Sequence, residues 1–200
     1  MTAFSKITTD LVPVMPRQSV PPLDVALSDG GRYILAQDDP GLFSMIVFYR
    51  GLHCQQCKAY LGELEKLLPE FDKRGITSVA ISMDEEDRAA LTKPEWGLKQ
   101  LRVGYGLSLQ SARDWGLFLT EARPRAKGLS EPPYCCEPAV FLVGPDKTMW
   151  FSAVQNMAFA RPRFEDIISG FEFLFGMGYF TEKECPARGE LLTLPHTVPA

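Results

Sequence analysis

The sequence predicts an α/β fold in which a central mixed β-sheet is flanked by helices on both faces. Three observations carry this expectation. An apolar run rich in β-formers, Phe43-Ser-Met-Ile-Val-Phe-Tyr49, leads into an amphipathic helical stretch from Cys57 to Phe71. A second β-rich run, Gly75 to Ser82, follows that helix. Near the end of the chain two more strand-like runs precede a helix with an apolar stripe. The order is βαβα, an ill-defined middle, then a β-hairpin and a helix, which calls for one sheet between helical layers.

Taken in order, residues 1–22 are rich in proline (Pro13, Pro16, Pro21, Pro22) and read as an N-terminal arm. Residues 23–177 read as the folded domain, and 178–200 as an irregular tail. Within Leu23–Gln37 the Gly30-Gly31 step between two short strand-like pieces predicts a hairpin, an N-terminal extension of the sheet. The run from Phe43 predicts a strand buried on both faces. After it the period changes: Cys57, Tyr60, Leu61, Leu64, Leu67, Leu68 and Phe71 recur at spacings of three and four. The acidic run Asp84-Glu85-Glu86-Asp87 predicts a solvated helix start, and Pro94 is expected to end that helix. Leu101–Tyr105 reads as a short strand and Ser108–Phe118 as a short helix, with loop from Thr120 to Glu137. Strands Ala139–Val143 and Thr148–Val154 flank the turn Gly144-Pro-Asp-Lys147. The last helix opens near Pro162 and buries Phe164, Ile167, Ile168, Phe171, Leu174 and Phe175.

Composition narrows the function. A chain of 200 residues suits one well-buried domain, and 46% apolar with 23% charged residues is the balance of an ordinary globular protein. The net charge of −4, with no basic stripe, argues against a nucleic-acid partner. No apolar stretch approaches the roughly 20 residues of a membrane span. Met1–Asp10 lacks the apolar core of a secretory signal, so a reducing compartment, the cytoplasm, is expected. Five cysteines there are catalytic, metal-binding or buried thiols rather than a structural disulfide framework.

The chemistry centres on Cys54-Gln-Gln-Cys57, where a buried strand ends and an amphipathic helix begins. Unpaired N–H groups and the macrodipole at a helix N-terminus favour a thiolate, the attacking species in disulfide exchange. A two-residue spacer brings both sulfurs within one helical turn. The alternatives are zinc or an iron–sulfur cluster held by Cys54, Cys57, Cys135 and Cys136, or inert packing. Adjacent cysteines make an unusual second metal pair, and neither histidine has finger-like spacing. His53 is either a partner of the thiolate or a surface histidine. No motif implies a haem, flavin or nicotinamide cofactor.

Four segments carry a family resemblance: Ile46-Val-Phe-Tyr-Arg-Gly-Leu-His-Cys-Gln-Gln-Cys-Lys58, Val79-Ala-Ile-Ser-Met-Asp84, Glu137-Pro-Ala-Val-Phe-Leu-Val-Gly-Pro-Asp-Lys147 and Phe159-Ala-Arg-Pro162. In them the sequence resembles the thioredoxin suprafamily, and within it the peroxiredoxin-like AhpC/TSA group, over about residues 20–177. The resemblance implies a three-layer thioredoxin-like fold and a Cys54/Cys57 dithiol cycle. It also implies a hydroperoxide or disulfide substrate, a thioredoxin- or glutathione-like thiol donor, and a homodimer as a candidate assembly. It makes Pro138 a cis proline facing the cysteine pair. Cys135 and Cys136 then become candidate second thiols, with packing as the alternative. The peroxiredoxin pattern Pro-x-x-x-Thr/Ser-x-x-Cys, aligned on Phe48-Tyr49, puts Arg50 at the proline, Cys54 at the hydroxyl residue and Cys57 at the peroxidatic cysteine. The thioredoxin pattern makes Cys54 the exposed nucleophile instead. Arg50 is the candidate cation beside the thiolate, with a solvent-facing strand-end arginine as the alternative, and Arg161, in Ala160-Arg-Pro162, is a second candidate.

The leading expectation is therefore a thiol-dependent peroxidase or disulfide reductase. Metal binding and a redox sensor without turnover stand as alternatives. Cys185, in the tail, is a distant resolving thiol, an intermolecular link or neither.

Overall fold

A computed structural model describes residues 12–121, 130–178 and 187. Cys185 and most of the arm and tail assignments lie outside them.

Seven strands form one mixed sheet, which runs from edge to edge through Arg32–Ile34, Asp24–Leu27, Arg102–Tyr105, Ile76–Ile81, Phe43–Phe48, Ala139–Val143 and Met149–Val154. The expected hairpin is present as β1 (Asp24–Leu27) and β2 (Arg32–Ile34). At the centre, β3 (Phe43–Phe48) runs parallel to β4 (Ile76–Ile81), and β4 parallel to β5 (Arg102–Tyr105). On its other edge β3 pairs antiparallel with β8 (Ala139–Val143), which pairs with β9 (Met149–Val154). Every residue of β3 and β8 is buried, as a strand covered on both faces requires.

Period-two alternation divides β3 between two cores. Phe43, Met45 and Val47 face α1 (Gln55–Asp72) and α4 (Phe164–Gly176), whose stripes Tyr60, Leu61, Leu64, Phe71 and Phe164, Phe171 close that layer. Ile46 and Phe48 face the opposite layer, where Trp115 lies between Phe48 and Phe141 at centroid distances of 5.6 and 5.2 Å. Trp115 follows α3 (Leu109–Asp114), which Ser108 caps through its hydroxyl. Trp115 is thus a core residue, and Trp96 is buried against Tyr49. Phe118 is exposed.

Four features depart from the sequence expectations. Pro94 lies inside α2 (Glu86–Trp96) rather than ending it; Gly97, in the left-handed region at φ 71°, is the terminator. The segment expected as loop contributes a two-stranded ribbon, β6 (Leu119–Glu121) with β7 (Tyr134–Cys136). Asp84 is completely buried rather than solvated, because its carboxylate accepts from a backbone N–H and from Arg88. Pro138 is trans, since no cis peptide bond occurs among the described residues.

Candidate active site

The site is built where β3 ends. Gly51 to Cys54 form a turn closed by the Cys54 N–H donating to the Gly51 carbonyl at 3.0 Å. Cys54 is the N-cap of α1, with extended backbone (φ −94°, ψ 100°), and its Sγ accepts the Cys57 N–H at 3.2 Å. A sulfur thus occupies the position that a serine or aspartate oxygen takes at other helix starts. Cys57, in the first turn, points into the core as part of the helix stripe. The two cysteines are joined as a disulfide with Cα atoms 5.2 Å apart. Cys54 keeps 4% of its surface exposed and Cys57 none.

Arg161 closes the site from the β9–α4 connection. Its Nη2 is 3.2 Å from Cys57 Sγ and 3.9 Å from Cys54 Sγ, and Nη1 donates to the Gln56 carbonyl at 3.3 Å. Tyr60, one turn beyond Cys57, holds it there. The Tyr60 ring lies 5.0 Å beneath the guanidinium, its hydroxyl donates to the Pro162 carbonyl at 2.6 Å, and Phe164 stacks on the ring at 4.3 Å. Burial raises the Tyr60 phenol's pKa, so it stays a hydrogen-bond donor. Burial also lowers the Arg161 pKa below the ordinary guanidinium value. A cleft of about 270 Å³ opens beside these residues, lined by Gln56, Tyr60, Phe159 and Arg161.

The other expected site residues are placed differently. Arg50 pairs with Glu131 at 3.5 Å and Glu137 at 3.4 Å. The Cys135 thiol lies beside the Arg50 guanidinium. Although burial opposes it, the Cys135 and Glu137 interactions raise the Arg50 pKa. His53 is buried, with no hydrogen bond to either ring nitrogen, and burial with the nearby Arg50 charge lowers its pKa to about 4. It is therefore neutral at physiological pH and supplies no cation. Pro138 immediately precedes β8, and its carbonyl accepts the Gln155 N–H at 2.9 Å. Cys135 and Cys136, successive on β7, point to opposite sides: Cys135 toward Arg50, while Cys136 donates to the Tyr49 carbonyl at 3.4 Å. Burial raises the pKa of both thiols. The four sulfurs do not converge, and no group of three or more metal-ligating side chains forms among the described residues.

What this arrangement supplies is a reversible dithiol whose sulfurs share one helix N-terminus and one guanidinium. The family model described as AhpC/TSA family matches residues 16–151, a span that includes the whole turn, both cysteines and β8. The chain belongs to the AhpC/TSA family.

No curated protein sequence matches this AhpC/TSA member. Among solved structures its fold is similar to Enterococcus faecalis AhpC, with 16% identity and a TM-score of 0.65 over 88% of this chain and 100% of that one. It is also similar to the reduced 2-Cys peroxiredoxin of Plasmodium vivax (16%, 0.64, covering 82% and 99%). A third is the thiol peroxidase of Chromobacterium violaceum (18%, 0.60, covering 84% and 90%). At these identities the likeness establishes the thioredoxin-like fold. Family membership and the Cys54–Cys57 pair together make this AhpC/TSA protein a thiol-dependent oxidoreductase.

Arg161 was marked in the sequence only by the resemblance of Phe159-Ala-Arg-Pro162. Asp84, whose carboxylate accepts the Leu52 N–H within the Gly51–Cys54 turn, was missed as a site residue. Its sequence signals are its place just after a buried strand and at the end of the resemblance segment Val79–Asp84.

Proposed function

We propose that this oxidoreductase reduces hydroperoxides, with Cys54 as the attacking thiol and Cys57 as the resolving thiol. The observation that carries this reading is the Cys54 sulfur at the N-cap of α1, while Arg161, 3.9 Å from it and 3.2 Å from the Cys57 sulfur, serves both thiols as a cation. Both features favour the thiolate over the thiol. Cys54 is also the less buried of the two cysteines, whereas Cys57 sits in the helix stripe with no exposed surface.

In the first step the Cys54 thiolate attacks one peroxide oxygen and the O–O bond breaks. The alkoxide or hydroxide leaves with a proton, and Cys54 becomes a sulfenic acid. Cys57, as thiolate, then attacks the Cys54 sulfur; the S–O bond breaks, water leaves and the disulfide forms. Two thiol equivalents from a thioredoxin- or glutathione-like donor restore the dithiol. That requirement supports a reducing compartment, the cytoplasm. Arg161 is the cation of the site, because Arg50 is committed to Glu131 and Glu137. We assign Cys135 and Cys136 to packing and Pro138 to the corner that carries Glu137. A homodimer is proposed from the family resemblance alone, and sedimentation of the full chain tests it.

A second reading, reduction of disulfides, is favoured by one observation. Cys54 stands where the peroxiredoxin pattern carries a hydroxyl that orients the peroxide. Rapid mixing of reduced protein with hydrogen peroxide separates the two. Peroxidase action predicts oxidation far faster than that of a free thiol, with Cys57→Ser trapping a sulfenic acid on Cys54 by intact mass. Oxidation no faster than a free thiol's overturns the peroxidase reading and leaves disulfide exchange. A sulfenic acid trapped in Cys54→Ser instead would exchange the two roles.

A further inference from the structure

Between the sheet and the cysteine turn lies one buried carboxylate that the redox chemistry above does not use. Asp84 follows β4 and is completely buried. Its Oδ2 accepts the Leu52 N–H at 2.7 Å, and its Oδ1 accepts Arg88 Nε at 3.0 Å. Its own backbone is anchored, with the carbonyl accepting the Gly106 N–H at 2.9 Å and the N–H directed to Ser82 Oγ at 3.3 Å. Leu52 lies inside the turn that runs from Gly51 to Cys54. The approach is so close that a Cβ on Gly51 would stand 2.6 Å from both carboxylate oxygens, and Gly51 itself has φ 120°. The sequence therefore leaves this position without a side chain and lets the carboxylate take the space.

We propose that Asp84 is a positioning residue of the redox site: by holding the Leu52 N–H it fixes the Gly51–Cys54 turn, so that the Cys54 sulfur stays on the N-terminus of α1. It touches neither sulfur. Its negative charge by itself disfavours a nearby thiolate, whereas the turn it holds favours one. The two effects have opposite signs, so the experiment separates positioning from a bare charge effect. The other charged or titratable groups around this turn include His53 with Arg50, Arg88 and Glu131, which act on it; Tyr49 and Cys136, which feel the Asp84 charge; and Arg161, which lies over Tyr60 and faces the sulfurs.

The inference rests on Cys54 being the reacting thiol, and the assay reads that separately. Reduced full-length protein is alkylated with iodoacetamide across a pH series, and the Cys54 and Cys57 peptides are followed by mass. Asp84→Ala removes both the charge and the tie. We expect the midpoint for Cys54 to move up by about one pH unit, about tenfold less thiolate at a fixed pH below it. Asp84→Asn keeps an acceptor for Leu52 and loses the charge, and its midpoint is expected at or below that of the wild type. Gly51→Ala keeps the charge and forces the turn away from the carboxylate, and its midpoint is expected to rise. Should Asp84→Ala fail to fold by circular dichroism, Gly51→Ala decides alone. A midpoint that falls in Asp84→Ala, or stays put in Gly51→Ala, overturns the positioning role. Slower alkylation of Cys54 than of Cys57 in the wild type overturns the nucleophile assignment, while the direction of the shifts still reports on Asp84.

Discussion

Replacing Arg161 by methionine removes the charge beside the sulfurs and keeps much of the stem. In the reduced state a Cys54 thiolate about as far from the guanidinium as the present 3.9 Å would lose its main cationic neighbour. Coulomb's law gives a unit pair near 4 Å about 1 kcal/mol in water and about 4 kcal/mol at an effective dielectric of about 20. Arg161 lines an open cleft yet is half-buried, so an intermediate figure of about 2 kcal/mol is appropriate. That corresponds to about 1.5 pH units, or about thirtyfold less thiolate at a pH below the midpoint. Peroxide consumption by the reduced protein under stopped flow, repeated from pH 5 to 9, reads both quantities. The rate–pH curve should shift to higher pH in Arg161→Met, with rates converging at the alkaline end once the thiol is ionised in both proteins. Arg161→Lys should recover part of the shift, because it restores charge without the two-pronged contact to sulfur and the Gln56 carbonyl. Superimposable wild-type and Arg161→Met curves would refute the assignment of Arg161 as the thiolate's cation.

Tyr60→Phe keeps the ring under Arg161 and loses the bond to the Pro162 carbonyl; we expect a loss of about 0.5–1.5 kcal/mol in urea unfolding and a smaller shift of the peroxide curve than Arg161→Met gives. His53, with its pKa lowered to about 4 from 6.5, resists protonation in the folded state but not in the unfolded chain. Its contribution to stability is therefore complete above about pH 6.5 and lost as pH falls toward 4, so urea midpoints at pH 7 and pH 5 should differ less in His53→Leu than in the wild type. Trp115→Ala removes the ring between Phe48 and Phe141 in the layer opposite α1, and should cost about 3–5 kcal/mol by chemical denaturation. Because that layer carries neither active-site sulfur, peroxide kinetics of the folded fraction should be unchanged.

The periodicities were enough to locate the main frame and the start of the site. A continuous apolar run at Phe43–Phe48, a change of period at Cys57, and Gly30-Gly31 between two short runs are local signals, and strand, helix and hairpin follow them. The position of Cys54 before the first helical turn follows from the same change of period, which is why the thiol pair was legible from one sequence. Whatever depended on a partner distant in the chain was not. Asp84 sits in an acidic run that locally resembles a solvated helix start, and only the close passage of Gly51 shows that its carboxylate is buried. As strings of letters, Arg50 beside the cysteine pair has the stronger claim and Arg161 the weaker. Tertiary folding gave one to the carboxylates of Glu131 and Glu137 and the other to the sulfurs. Local propensity records what a residue does to its own backbone. Which charge meets which sulfur is decided by side chains more than a hundred residues apart, and by the burial that makes their pairing matter.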